Sequence, residues 1–226
     1  MPKKNFNLGL LGKKYKDEIY IFDEFKTGET NEPLQIKKSI GGIYNFEKNK
    51  NLKLHYLEDG ETQAKIISDL KKSSRTSILQ STKKYHLPPI KYSSLDWLHV
   101  AYLDDVNYSQ FSFEVPTSVD FCKSGSREKY LEILKRCDLI FDSRERKYLY
   151  KNIKIKKPII FHDPYGCECV IEQKIVESQC AEPIKNLNVN GAGDIFAGIF
   201  IEKFRNIGLK AAITATPIEV KNYLTK

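Results

Sequence analysis

The amino-acid sequence predicts an α/β fold in which helices cover a mostly parallel β-sheet. Apolar segments of strand length alternate along the chain with segments whose apolar residues recur at helical spacing. This alternation is typical of parallel sheets, because each return to a parallel strand needs a crossover connection that is usually a helix. No internal repeat or linker rich in Pro and Ser divides the 226 residues. We therefore expect one domain over 1–226.

The N-terminal part of the chain predicts a strand followed by a small projecting sheet. Residues 6–11 form a short apolar segment of strand type. Residues 18–25 and 34–40 alternate apolar and polar side chains, and a turn-forming segment at 26–31 separates them. We expect the two alternating segments to pair as a small β-sheet lid over about 18–40.

The middle of the chain contains further strand and helix patterns. Residues 62–72 place Ala64, Ile67 and Leu70 at helical spacing, with Thr62 as the N-cap, and this pattern predicts a helix. The other elements are predicted as helices at 126–135 and 145–150 and as strands at 52–57, 97–103, 115–121, 139–141, 158–162 and 167–171.

The last predicted element is an amphipathic helix that begins at Gly191. Its charged residues fall away from the apolar face, as expected of a helix that packs on a sheet. The apolar face consists of Phe196, Ile199, Phe200, Phe204 and Ile207.

The charge of the chain raises the hypothesis of a nucleic-acid partner. Lys and Arg number 37 against 29 Asp and Glu, which gives a formal net charge of +8. The basic residues are scattered in short pairs, however, and no basic stripe with interleaved aromatic residues emerges. The pattern favours a solvated, lysine-rich surface, so we expect no nucleic-acid partner.

Cysteine, histidine and apolar patterns exclude several other classes. The five cysteines include no Cys-x-x-Cys spacing and the four histidines no His-x-x-x-His spacing, so we expect free thiols and no protein-bound metal centre. Residues 1–5 are followed by no signal-peptide apolar region, and the apolar segment at 195–201 is too short to span a membrane. We expect a cytoplasmic protein without a membrane partner.

The turn before the last helix has the chemistry of an anion site. Gly191 and Gly193 lack β-carbons, so the backbone there can approach a ligand closely. The first N–H groups of the helix have no helical partner and lie at the positive end of its dipole. Asp194 in the first turn could accept a proton from a hydroxyl held against that anion, which suits phosphoryl transfer to an alcohol. The same residues could also do no more than cap the helix.

Residues 188–198 have the sequence Asn-Val-Asn-Gly-Ala-Gly-Asp-Ile-Phe-Ala-Gly. This segment resembles the signature Asp-Thr-x-Gly-Ala-Gly-Asp-x-Phe-x-x-Gly of the ribokinase-like (PfkB-type) carbohydrate kinases. The resemblance implies a Rossmann-like sheet with a small β-sheet lid. It also implies that Asp194 is the catalytic base and that the amides of Gly191, Ala192 and Gly193 form the anion hole.

Upstream segments resemble other motifs of this family in the expected order. Asp17 follows the first strand where the family has an acid that binds the acceptor sugar, and residues 28–30 match a Gly-Glu-Thr turn of the lid. Gly41, Gly42 and Asn45 resemble the family's Gly-Gly-x-x-x-Asn substrate motif, with the Asn one position early. The resemblance implies that Asp17 and this motif bind the acceptor.

The nucleotide side departs from the family pattern. Asn188 replaces the first Asp of the signature, which removes a charge associated with a monovalent cation. Residues 142–145 approximate the family's Asn-x-x-Glu motif, so Glu145 is assigned to Mg²⁺ and phosphates. Residues 161–166 keep only the last Gly, Gly166, of the Thr-x-Gly-x-x-Gly nucleotide turn. Asn188, Glu145 and Gly166 are the expected cofactor-binding residues.

The resemblance therefore implies that the chain is a shortened and divergent member of the family. It would be an ATP- and Mg²⁺-dependent kinase that phosphorylates a hydroxyl of a sugar, sugar phosphate or nucleoside. The alternative is a catalytically degenerate protein of the same fold that binds a sugar or nucleotide as a regulator. A homodimer through the lid is compatible with both. The residues that would select one acceptor lie in the most divergent part of the chain.

Overall fold

The structure is a computed structural model that describes residues 6–48, 52–84, 89–107, 109, 111–185 and 188–225, with the side chains of 48 and 81–84 left out. The N-terminal segment 1–5 used above in the argument against a signal peptide lies outside these residues. No helix in the described part of the chain is both long and apolar enough to cross a bilayer.

Ten strands form a single sheet within the described ranges. In chain order they are β1 Phe6–Phe22, β2 Gln35–Gly42, β3 Leu52–Asp69, β4 Ser74–Lys84, β5 Trp97–Val100, β6 Thr117–Val119, β7 Leu139–Ser143, β8 Ile159–Asp163, β9 Gly166–Ile171 and β10 Lys174–Cys180. The spatial order is β10-β9-β8-β7-β6-β5-β1-β3-β4, and β2 also pairs with β1.

The centre of this sheet is parallel. The neighbouring strands from β3 through β1, β5, β6 and β7 to β8 all pair in parallel. The antiparallel pairs are β8 with β9, β9 with β10, β3 with β4 and β1 with β2. The predicted mostly parallel α/β sheet is confirmed.

Two long strands carry the sheet beyond the core. β1 and β3 stay paired along their whole length, with one register irregularity between Gly12 and Lys13. Beyond that point β1 gains β2 as an antiparallel neighbour and β3 gains β4. We call the four-stranded extension made by 13–22, β2, 60–69 and β4 the lid. The separate strands predicted at 6–11 and 18–25 are thus one strand.

The helix predicted over 62–72 is wrong, because residues 62–69 belong to β3 and residues 70–72 form the turn that follows. Ala64 and Ile66 are buried while Gln63 and Lys65 are exposed, which is the alternation of a strand with one covered face. Apolar residues in this short stretch satisfy both the helical and the strand period, and pairing with β1 and β4 decides between them.

Helical structure is concentrated at the C-terminus. α1 (Leu131–Leu134) is a single turn, shorter than the helix predicted over 126–135, and the helix predicted at 145–150 is a 3₁₀ segment. α2 (Ala192–Leu224) is interrupted at Gly208, whose φ of 80° and ψ of 174° are not helical. The 3₁₀ segments are Ile43–Lys48, Tyr92–Ser94, Glu128–Tyr130 and Arg144–Tyr150.

The central strands are buried on both faces, which explains why they are continuous apolar runs rather than alternating ones. One face packs against α2, where the rings of Phe196 and Phe200 meet Phe141 edge to face. The opposite face packs against α1 and the 3₁₀ segments Glu128–Tyr130 and Arg144–Tyr150, and its buried residues include Val100, Val119, Ile140, Tyr130, Leu134 and Tyr150.

A fully buried arginine organises the loop after β6. The guanidinium of Arg127 donates to Asp142 at 2.8 and 2.9 Å and to the carbonyls of Lys123 and Gly125 at 2.9 and 3.0 Å. Its Cζ lies 3.9 Å from the ring centroid of Phe121. A buried cation is tolerated only when it is paired and hydrogen-bonded. Because Arg127 finds these partners within the loop 120–127 and on β7, the contacts hold the loop against the sheet.

We expect Arg127→Met to lower the free energy of unfolding by about 3 kcal/mol, because it leaves the buried carboxylate of Asp142 without its main cation. We expect no larger loss of stability, because Arg146 and Tyr150 still donate hydrogen bonds to Asp142. Urea unfolding measures the change. The surface control Lys135→Met should leave stability nearly unchanged, and equal losses in both variants would contradict the assignment.

Candidate active site

Asp194 lies in the first turn of α2 and is almost completely buried, with 2% of its surface exposed. The turn before it requires glycine: Gly191 has φ 78°, in the left-handed region. A β-carbon on Gly191 would lie 2.9 Å from Cγ of Asn45. The backbone turn is therefore in close contact with the side chain that follows the end of β2.

Both oxygens of Asp194 accept hydrogen bonds. Asn45 Nδ2 donates to Oδ2 and the Tyr102 hydroxyl donates to Oδ1, each at 2.7 Å. Burial raises the pKa of Asp194, and the two donors partly oppose that rise by stabilising the carboxylate. The predicted substrate residue Asn45 thus contacts the predicted base directly.

Tyr102 is a site residue that the sequence did not reveal. It follows β5 with φ 68°, a left-handed conformation that is uncommon for a bulky side chain. Its ring packs against Tyr15 with centroids 5.7 Å apart, and its hydroxyl reaches Asp194. The sequence analysis predicted one strand over 97–103 and so did not foresee the turn at Tyr102. Only the position of Tyr102 at the carboxyl end of a parallel strand could have indicated that it belongs to the site.

Asp17 lies in the lid half of β1 and is 4% exposed. Its Oδ2 accepts a hydrogen bond from Asn190 Nδ2 at 3.2 Å, whereas Oδ1 is buried and has no partner among the described residues. Gly41 lies so close that its β-carbon would be 2.3 Å from Oδ2, and Gly42 next to it has φ 67°. The predicted residues Asp17, Gly41 and Gly42 therefore lie together, because Gly41 has no β-carbon that would collide with the Asp17 carboxylate.

A cavity of about 130 Å³ separates the lid from the turn before α2. Carboxylates, amides, two phenols, a guanidinium and an ammonium group line it, and the lid adds the apolar side chains of β3 and β4. The polar residues used below are Asp17, Asn45, Arg75, Tyr102, Asn190 and Asp194. A small molecule with several hydroxyl groups matches this mixture of donors, acceptors and apolar surface.

The predicted anion hole is present as a turn, but one of its amides has a partner. The N–H of Ala192 donates to the carbonyl of Val189 at 3.1 Å. Gly193 and Asp194 follow in the first helical turn, whose N–H groups have no helical partner. The structure therefore places the open end of the helix at Gly193 and Asp194.

His162 lies beside this turn and was also missed by the sequence analysis. Its Cε1 is 3.4 Å from the position that a β-carbon of Gly193 would occupy, and its ring stacks on Phe196 at 4.6 Å. Burial lowers the pKa of His162 to about 4, so the ring is neutral at pH 7.

The three predicted nucleotide-side residues have separate surroundings. Asn188 Oδ1 accepts from Ser68 Oγ at 3.4 Å and from the N–H of Asn190 at 3.1 Å. Glu145 is exposed at the start of the 3₁₀ segment after β7. Gly166 has φ 127° where β9 meets β10, so the sheet itself requires glycine. Neither Glu145 nor Gly166 lines the cavity.

Cysteine and metal-ligating residues form no centre in the part of the chain that the structure describes. No group of three or more His, Cys, Asp or Glu side chains there is arranged to hold a metal ion. Cys122, Cys137, Cys167, Cys169 and Cys180 are all free thiols.

Comparison with known proteins gives a result for structure only. No protein-family model and no curated protein sequence matches the chain. Among solved structures, a nucleoside kinase of Burkholderia thailandensis in complex with inosine has a TM-score of 0.71 at 11% identity, over 97% of this chain and 91% of that one.

Two further solved structures cover nearly all of both chains. The Methanocaldococcus jannaschii nucleoside kinase, an archaeal member of the ribokinase family, has a TM-score of 0.62 at 17% identity, over 97% of this chain and 98% of that one. The ribokinase of Cryptococcus neoformans in complex with ADP has a TM-score of 0.56 at 16% identity, over 96% and 95%. The parallel sheet, the lid and the C-terminal helix thus make up a ribokinase-like fold.

Proposed function

We propose that the protein is a kinase that transfers the γ-phosphoryl group of ATP to a hydroxyl of a sugar or nucleoside. The observation that carries the proposal is the cavity between two buried carboxylates, Asp17 in the lid and Asp194 at the start of α2. The solved neighbours support this class of reaction, since they are a ribokinase bound to ADP and nucleoside kinases, one of them bound to inosine.

In this proposal the two carboxylates have different tasks. Asp17 binds an acceptor hydroxyl through the buried Oδ1, which has no protein partner among the described residues. Asp194 accepts the proton of the attacking hydroxyl. It can do so although Asn45 and Tyr102 already donate to it, because each carboxylate oxygen has two lone pairs. Deprotonated Asp194 is required, so the donors that lower its pKa favour the reactive form.

The nucleotide phosphates fit the open turn of α2. The amides of Gly193 and Asp194 and the positive end of the helix dipole would face them, as at other phosphate-binding helix starts. Glu145, exposed at the carboxyl end of β7, is the side chain that would face Mg²⁺. When bound, Mg²⁺ neutralises charge on the phosphates.

Asn188 gives this loop no charge that would favour a monovalent cation. Its Oδ1 already accepts from Ser68 and Asn190. We therefore propose no role for such a cation.

The lid also offers a surface for a second copy of the chain. Leu34, Ile36, Ile40 and Ile78 are each at least half exposed, and by strand alternation Ile36, Ile40 and Ile78 lie on the face opposite the cavity. We propose that two copies pair through this outer face, where the exposed isoleucines lie among charged residues such as Lys16, Lys38 and Lys65, because exposed apolar side chains are costly to leave in water.

We expect Asp194→Asn to lower kcat by about 10²- to 10⁴-fold, the range measured when a general base is removed. ADP release with ATP and Mg²⁺ is measured over a panel of sugars, sugar phosphates and nucleosides, and circular dichroism confirms folding. Asp23→Asn, at an exposed aspartate directly after β1, is the matched control. Unchanged turnover in Asp194→Asn would contradict the assignment. Acceptor binding without turnover in the wild type would favour the non-catalytic alternative.

Tyr102→Phe should shift the pH dependence of kcat. The phenol donor lowers the pKa of Asp194, so its removal raises that pKa and moves the acidic limb of the profile to higher pH. Tyr165→Phe, on an exposed tyrosine, should leave the profile in place. An acidic limb that does not move in Tyr102→Phe would show that the hydroxyl does not affect the base.

Sedimentation velocity tests the lid surface. We expect the wild-type chain to sediment as a dimer and the double variant Ile36→Lys/Ile40→Lys as a folded monomer, because the added charges would be desolvated in the interface. Ile207→Lys alters an equally exposed isoleucine on α2 and should remain dimeric. A monomeric wild-type chain would rule out this pairing.

A further inference from the structure

Asn190 lies between the lid and the catalytic turn, one position before Gly191. Its Nδ2 donates to Asp17 Oδ2 at 3.2 Å, and its Oδ1 accepts from Arg75 Nη1 at 3.4 Å. Arg75 and Asp17 belong to different lid strands, β4 and β1. One carboxamide therefore connects two strands of the lid to the backbone that leads into α2.

The orientation of this carboxamide follows from the chemistry of its neighbours. An arginine can only donate, so the Asn190 oxygen must face Arg75, and its NH₂ group must then face Asp17. Arg75 is itself held by Ser77 Oγ, which accepts from Nη1 at 3.0 Å. Within the described ranges Arg75 forms no ion pair. Its charge is therefore available to orient the amide.

The contact fixes which oxygen of Asp17 is available to a ligand. Oδ2 is held from one side by the Asn190 NH₂ group and confined from the other by the backbone of Gly41. Oδ1 is buried and without a partner among the described residues, although a buried carboxylate oxygen normally has one. The free oxygen belongs to a side chain that lines the cavity.

Other side chains near Asn190 also form hydrogen bonds between the segment before α2 and the lid region. Ser73 Oγ donates to the carbonyl of Ile184 at 2.8 Å, and Ser68 Oγ donates to Asn188 Oδ1 at 3.4 Å. Asn188 in turn accepts from the N–H of Asn190. Ile184, Asn188 and Asn190 are therefore each hydrogen-bonded to the lid or to the turn between β3 and β4, and among these three Asn190 lines the cavity.

We propose that Asn190 is a positioning residue, oriented by Arg75, which holds one oxygen of Asp17 so that the other is presented to the acceptor. In this role Arg75 acts through Asn190 and does not contact the acceptor. The proposal rests on the proposed function for its kinetic effect, but the hydrogen bonds themselves exist in the free protein.

Steady-state kinetics with MgATP and D-ribose, D-fructose, adenosine or inosine test the effect on the acceptor. We expect Asn190→Ala to raise the acceptor KM about tenfold, the equivalent of one hydrogen bond to a charged group, with kcat within about threefold. Arg75→Met should raise KM in the same direction, and adding it to Asn190→Ala should cause no further loss. Asn206→Ala, on an exposed asparagine of α2, is the matched control.

Additive losses in the double variant would overturn the proposal, since they would show that Arg75 affects acceptor binding independently of Asn190. An unchanged KM in Asn190→Ala would overturn it as well. A fall in kcat without a change in KM would assign Asn190 to the anion hole instead and would also overturn it.

Hydrogen exchange of the free protein gives a measurement that needs no acceptor. We expect the amides of β4 to exchange several-fold faster in Asn190→Ala, because the lid loses its contact with the loop, while β9 and β10 exchange as in the wild type. If the wild type neither binds nor phosphorylates any probe, the proposed function fails, yet faster exchange in β4 still supports the positioning contact. Unchanged exchange in β4 would overturn it.

Discussion

The parallel pairing of β1 with β3 is the constraint on which the rest of the site depends. The two strands remain paired from the buried core to the tip of the lid, so no hinge segment separates Asp17 from the core sheet. The register irregularity falls at Gly12, where a β-carbon would lie 2.6 Å from Ile43 and 2.8 Å from the carbonyl of Ala101. The position of Asp17 along β1 relative to the core sheet is therefore set by the strand register and by the close packing at Gly12.

The same constraint brings two carboxylates into one cavity, where burial raises the pKa of each. Their mutual repulsion adds to the effect on Asp194, and the charge of Arg75 lowers the pKa of both. Neutral donors supply the remaining stabilisation: Asn45 and Tyr102 donate to Asp194, and Asn190 donates to Asp17. Asp17 and Asp194 are thus stabilised mainly by neutral donors, which compete with a ligand less strongly than an ion-paired cation would.

Strands and turns with a local sequence pattern could be predicted from the sequence. The apolar runs of β5, β7 and β8, the alternation in β2 and the glycine turn before α2 each have a local signature, and the structure contains them. The helix expected over 62–72 failed because pairing with distant strands overrides an ambiguous local period. Tyr102 and Asn190 escaped notice because their roles arise from contacts 92 and 173 residues away in the chain.

The loop before α2 shows how an uncharged residue can preserve the shape of such a site. Asn188 stands where the signature that this segment resembles has an acid, and its amide oxygen accepts from the backbone of Asn190 and from Ser68. These hydrogen bonds need an acceptor, and a carbonyl oxygen supplies one as well as a carboxylate does. A neutral oxygen attracts a cation far less than a carboxylate does. The conformation that presents Gly191 and Asp194 is therefore held by hydrogen bonds within the chain.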